Sequence, residues 1–390
     1  MRLPVVYLSL LGLTIAMVGN TIAWVPAYAE DAPSPEATLP PPQLVEQLGD
    51  ASYLKRERAR LELERREFDA QDALEVGVKS DDLEVSYLCE QLLIDIREKA
   101  TQRHLAKFVN ETDKDKHYDF PAWKALKELL GDDPTVRQMY VDMYRDEPDL
   151  LKSLATEKED IAGKATARAL VVQRNINSFR MPITVGSIAT MLLVGGQDDV
   201  TLPVNGNSII YSFCYQQVFR DSFNSPTQGP ALRKLLGKFM LKADDNSAYQ
   251  GLTLAMQFGM KEEGLRTATR VLEGKATAAH VKQYAMMTVA KLGDSEHMKL
   301  LEPLMEDATV CSQQQVNKVI YKTQVRDIAL FALVHIAKED PKQYGFDRFS
   351  PNPQIVANVH TLGFENDEKR AAAFGSWKKF QEAQKAKAGK

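Results

Sequence analysis

Cysteine is scarce in this 390-residue chain: Cys89, Cys214 and Cys311 lie far apart and form no C-x-x-C pair. Three thiols are too few for a disulfide scaffold, and the odd number leaves at least one unpaired. Histidine is scarce as well. His104, His117, His280, His297, His335 and His360 make no H-E-x-x-H motif and no i, i+4 pair, so metal catalysis has no footing and no metal site is expected. Neither sign of charge dominates: 49 Lys and Arg stand against 53 Asp and Glu, a formal net charge of −4. That excludes the basic footprint general nucleic-acid binding requires. Gly195-Gly196 is followed by no phosphate-loop lysine and has no dinucleotide-fold spacing. Gly186-Ser187 is not part of G-x-S-x-G. No cofactor and no catalytic residue is expected from these absences.

What is present begins with an N-terminal targeting pattern. Arg2 supplies a positive start, Leu3 to Val18 is apolar with Ser9, Gly12 and Thr14 interrupting it, and Pro26 precedes Ala27-Tyr28-Ala29. Small residues at −3 and −1 fit a signal peptide over 1–29, cleaved after Ala29, and hence an exported, periplasmic or secreted protein. The apolar run could extend through Trp24 as a retained anchor, but Pro26 and the small residues fit processing better. No cysteine follows the run, so a lipid anchor is not supported. Residues 30–42 carry Pro33, Pro35, Pro40, Pro41 and Pro42 among small and acidic residues and read as an extended linker.

From Gln43 onward the period is helical. Val85, Leu88, Cys89, Leu92, Leu93 and Ile96 fall at i, i+3, i+4, i+7, i+8 and i+11. Val136, Met139, Tyr140, Met143 and Tyr144 repeat those offsets. So do Val281, Tyr284, Ala285, Thr288, Val289 and Leu292, and again Val325, Ile328, Ala329, Ala332, Leu333 and Ile336. Each set is one stripe of an amphipathic helix. Asp82 and Asp133 stand where an acidic side chain caps the first turn. After the third stripe, Gly293 suits a left-handed C-cap and Asp294 or Ser295 a new start, with a helix expected through Leu300, Leu301, Leu304 and Met305. Val281 to Val325 is a repeat-sized interval.

These segments resemble HEAT repeats. Asp133-Pro134-Thr135-Val136-Arg137 and Thr323-Gln324-Val325-Arg326-Asp327 are similar to the start of the second helix of a unit, and Val281 to Asp307 to a second helix, a turn and the next first helix. The likeness spans roughly 43–150 and 248–340. It implies an all-α, irregular α-solenoid of antiparallel helix pairs, either one irregular array or two lobes joined by an irregular aromatic-rich middle, presenting a groove to a protein partner or an envelope polymer. It carries over no catalytic residue. The organisation expected is an N-terminal helical region over 43–179, a junction over 180–246, a second helical region over 247–365 and a basic helix or tail over 366–390.

The junction differs in character. Ile183 to Val194 is apolar but too short to cross a bilayer, so a buried helix ending at Gly195-Gly196 is expected. A loop should run on to Ser208, through Pro203, Asn205, Gly206 and Asn207. Tyr211, Phe213, Tyr215, Phe219 and Phe223 follow, an aromatic concentration unmatched elsewhere in the sequence. Alternation of the first three and a four-residue step in the last three suggest an extended approach entering a helix, with the rings filling or lining a junction. They are the candidate binding residues, for an apolar ligand, and a hydrolase site near Asn205–Phe223 is the enzymatic alternative.

Other features read as surface. Asp113-Lys114-Asp115-Lys116-His117 lacks the ligand spacing and glycine of a calcium loop. Arg56 to Glu67 mixes both signs as on a solvated helix face, with Leu54, Leu61 and Phe68 at seven-residue intervals. Near the C-terminus Phe374, Trp377 and Phe380 share a helical face expected to dock on the body, with Lys378, Lys379, Lys385 and Lys387 around it.

Overall fold

A computed structural model describes residues 39–388, apart from 114–115, 157–158, 179–180, 243, 245–246 and 275–277. The expected signal peptide and most of the expected linker lie outside the described residues. The fold is all-α with small two-stranded sheets, and no described helix is long and apolar enough to cross a membrane. The chain divides into two compact units, one ending at Thr101 and one beginning at Gln102.

The first unit holds α1 (Pro41–Gln47), α2 (Tyr53–Arg66), α3 (Gln71–Gly77) and most of α4 (Leu83–Val109). The linker expectation reached too far: Pro41 and Pro42 occupy the first turn of α1, where a missing N–H costs no intrahelical bond. Asp82 caps α4 as expected, its Oδ1 accepting the Glu84 N–H at 2.9 Å. The core is aliphatic: Leu44, Val45, Leu48, Leu63, Leu74 and the stripe Val85, Cys89, Leu92, Leu93, Ile96 close over each other. Gly77 is required at this contact, because a Cβ there would lie 2.4 Å from the Cys89 sulfur.

The second unit runs through α5 (Trp123–Leu130), α6 (Pro134–Asp146), α7 (Pro148–Thr156), α8 (Ile161–Asn177), α9 (Val185–Gly195), α10 (Val204–Phe213), α11 (Gln217–Phe223), α12 (Gly229–Lys242), α13 (Ala248–Phe258), α14 (Lys261–Glu273) and α15 (Ala279–Leu292). A hairpin of β1 (Val310–Val316) and β2 (Val319–Gln324) precedes α16 (Val325–Ile336), then the two-residue strands β3 (Pro351–Asn352) and β4 (Val356–Ala357), and finally α17 (Asp367–Ala388). Asp133 caps α6 through the Thr135 and Val136 amides. Arg137 is buried and donates to the Phe108 carbonyl in the last turn of α4 and to the Glu111 carbonyl just beyond it, at 3.0 and 2.7 Å. The stripes of α15 and α16 meet as expected: Val281, Ala285 and Val289 share one buried cluster with Val325, Ala329 and Leu333.

Between those two helices the expected helix is absent. Gly293 is extended rather than left-handed, and two short 3-10 turns, Ser295–Leu300 and Glu302–Glu306, carry Leu301 and Leu304 to the core. Asp294 does start the first of them, accepting the Glu296 amide. The hairpin follows, Val316 paired with Val319 across Asn317 and Lys318 at φ 49° and 69°. Two consecutive positive φ values make a type I′ turn, whose twist matches that of the strands. The C-terminal helix docks by the face expected: Trp377 lies edge-on to Tyr344 and stacks on Phe380. Its anchor is Arg370, which donates Nε to the Asp327 carboxylate at 2.8 Å and Nη2 to the Lys322 carbonyl at 3.2 Å, with both side chains buried. Burial pushes the Asp327 carboxyl up, and the guanidinium beside it opposes that rise.

Candidate interaction surfaces

The aromatic segment is helical where an extended approach was expected. α10 begins at Val204, so Asn205, Gly206 and Asn207 lie within a helix and the loop after α9 ends at Pro203. Gly206 allows this, since a Cβ there would sit 2.6 Å from the Thr166 hydroxyl. Tyr211, Phe213, Phe219 and Phe223 are buried. Tyr211 packs on Phe239 at 4.8 Å between centroids, and Phe223 stacks on Phe258 at 4.3 Å with the Arg233 guanidinium over it at 4.6 Å. These are packing geometries that fill a core. Among the described residues the Tyr211 hydroxyl has no hydrogen-bond partner, and the absent side chain of Gly251 makes room for it. Tyr215 alone of the five lies at the surface, in the turn between α10 and α11. The residues just after it, Gln216, Gln217 and Val218, line a 390 Å³ groove with Ile176, Met181, Pro182 and Ile183.

A larger set of rings has no signature in the local sequence. His104, Phe108, Tyr118, Phe120, Trp123, Tyr140 and Tyr144 contact one another, with Phe108 edge-on to four of them. They come from α4, the segment after it, α5 and α6, so no local window shows them together.

Among the described residues the candidate nucleophiles are held in packing or structural roles. The Cys214 thiol is buried, points at the Ile210 carbonyl at 3.7 Å, and burial raises its pKa, so its thiolate is disfavoured. The Ser187 hydroxyl donates to buried Glu147 at 2.7 Å, while Arg168 engages the same carboxylate through Nε and Nη2 at 2.8 and 3.0 Å. A hydroxyl donating to a carboxylate already paired with arginine is oriented as a structural link among α8, α9 and the start of α7, not as a nucleophile facing a base. Among the described residues no group of three His, Cys, Asp or Glu could hold a metal.

The first unit presents a different surface. Among its described residues the aromatic side chains are Tyr53, Phe68 and Tyr87, which are 66, 58 and 60% exposed, together with Leu54, Leu61, Val76, Leu83 and Ile94. Leu54, Leu61 and Phe68, the seven-residue series of the sequence, therefore face solvent, while α2 buries Ala59 and Leu63. Helical geometry makes this two-sided. Nine residues at ~100° each end half a turn away, so Leu83 stands opposite buried Leu92, Tyr87 opposite Ile96, and Leu54 opposite Leu63. α4 thus carries a buried apolar stripe and an exposed one, Leu83, Tyr87 and Ile94, on opposite faces. A solvated helix shows only the first. The chain matches no family model, no curated protein and no solved structure.

Proposed function

We propose that this chain is a non-enzymatic interaction protein of the cell envelope or secreted space that binds another protein through its helical surface. The second apolar stripe of α4 carries the reading: an apolar face this exposed marks an interaction site more often than a solvated one. The HEAT-like stripes and the N-terminal export pattern support a solenoid scaffold working outside the cytoplasm. The test uses the mature chain as bait in envelope extract, beside a variant with Leu83→Ser, Tyr87→Ser and Ile94→Ser. A specific partner retained by the first and lost by the second, with both equally folded by circular dichroism, is the expected result; equal capture by both overturns the α4 assignment. A second reading, binding of an apolar small molecule, is supported by the groove at Ile176, Met181 and Val218, whose 390 Å³ lies within the range of ligand pockets.

A further inference from the structure

We infer that the outward face of α4 takes a basic amphipathic helix of a partner protein. This inference rests on the interaction reading above and adds the chemistry of the occupant. The exposed apolar residues fall at positions 83, 87 and 94, the spacing by which one helix face grips another. Leu83 is 84% exposed, so the contact area is unspent.

Charge selects the occupant. Residues 39–101 carry nine Lys and Arg against fifteen Asp and Glu, a net of −6. Most of those cations are already engaged within the unit: Lys55 with Asp50, Arg56 with Glu84, Arg60 with Glu57, Arg66 with Glu62, Arg97 with Glu75 and Lys99 with Glu64. On α4 itself, Glu90 falls between Tyr87 and Ile94 on the exposed face and Glu98 one turn beyond, and neither has an ion-pair partner among the described residues. Two copies of this face would oppose like charges at Glu90 and bring two units of −6 together, which disfavours self-association. An anionic lipid surface is disfavoured for the same reason. A helix with an apolar stripe flanked by Lys or Arg satisfies both the stripe and the carboxylates.

The experiment uses the full chain and two synthetic amphipathic helical peptides of one pattern, leucine on one face and either lysine or glutamate on the other. Binding of the lysine peptide at least about ten-fold tighter than the glutamate peptide is expected, weakening with salt. The Leu83→Ser, Tyr87→Ser, Ile94→Ser variant should lose about ten-fold or more of that affinity, and Glu90→Lys with Glu98→Lys should shift preference toward the glutamate peptide. If both peptides bind alike through the α4 stripe, the charge assignment is overturned and the interaction reading stands. If neither peptide binding nor partner capture depends on the stripe, both fall. A concentration-dependent dimer in sedimentation that the triple serine variant abolishes would make the occupant a second copy and overturn the inference. The melting temperatures of all variants, expected to match that of the parent, separate lost binding from lost fold.

Discussion

The two units use their aromatic residues in opposite ways. In the second, Phe108, Tyr140, Tyr211, Phe213, Phe219, Phe239, Phe331 and Phe346 are fully buried and define the core. In the first, the described core is built from twelve residues without one ring, and the three described rings, Tyr53, Phe68 and Tyr87, point outward. Burying a large ring contributes more than burying most aliphatic side chains, so a fold that leaves three outside has not placed them for stability alone. The lesson is that the second unit's apolar residues report mainly on folding, whereas the first unit's divide between folding and a surface.

Mutation can break or sharpen that contrast. The largest effects belong to the second unit: Phe213→Ala or Phe219→Ala should each cost about 3–5 kcal/mol in urea unfolding. A cost below about 1 kcal/mol at either position would remove the core assignment. Arg370→Ala should be comparably severe, about 3–5 kcal/mol, because it strands the buried Asp327 carboxylate; proteolysis should then release α17 before the rest of the unit. The thiols test whether both cores are closed. Burial pushes Cys89 up to about 11 and Cys311 up to about 12, and raises Cys214 as well, so little thiolate is present at neutral pH. An aromatic disulfide reagent should react slowly with the native protein and titrate three thiols after denaturation without reductant; fewer than three would reveal a disulfide.

A smaller effect is expected at Glu62, whose carboxyl is held at about 2 chiefly by hydrogen bonds from Arg65 and Arg66. A folded-state pKa below the ordinary 4.5 stabilises the fold above that value and loses its contribution as pH falls toward 2. Because the site is only partly covered and solvent screens the pairs, Glu62→Gln should cost at most about 1 kcal/mol at pH 7, with the gap to the parent closing in acid. Smallest of all, Leu83→Ser and Tyr87→Ser should change stability by less than about 0.5 kcal/mol. A large loss there would show that these residues support the fold and would erase the contrast between the units.

The legible parts of this molecule are those where one helix face is apolar and the ends carry local chemistry. The stripes of α6, α15 and α16, the caps at Asp82 and Asp133, and the docking face of Phe374, Trp377 and Phe380 all depend on residues within a few turns of each other. The hairpin was illegible because the inward face of β1 is Ser312, Gln314 and Val316, so the apolar alternation that marks a strand is missing; Arg348, 4.0 Å from the Tyr321 ring centroid, covers a largely polar face. The start of α10 was obscured by Asn205, Gly206 and Asn207, turn-forming residues that tertiary packing holds in a helix. At the candidate site, the clustering of Tyr211, Phe213, Phe219 and Phe223 was visible and their burial was not, since a ring in a core and a ring in a crevice give one and the same pattern. The opposed stripes of α4 are both present in the sequence, but the buried one alone accounts for the helix, so the second carries no fold signal.

The two-residue turn at Asn317 and Lys318 bears on how this chain tolerates insertions and deletions. Thr323 is buried, its hydroxyl 3.2 Å from the Val359 carbonyl, and the α16 N-terminus follows directly. One residue added to β2 would turn Thr323 outward and Lys322 inward, because side chains alternate along a strand. The Lys322 carbonyl would leave Arg370, and the C-terminal helix would lose an anchor 48 residues downstream. Single-residue length changes in the strand should therefore be rarer among functional variants than substitutions at its exposed positions Ile320 and Lys322, while the turn itself can lengthen outward into solvent without disturbing what it joins.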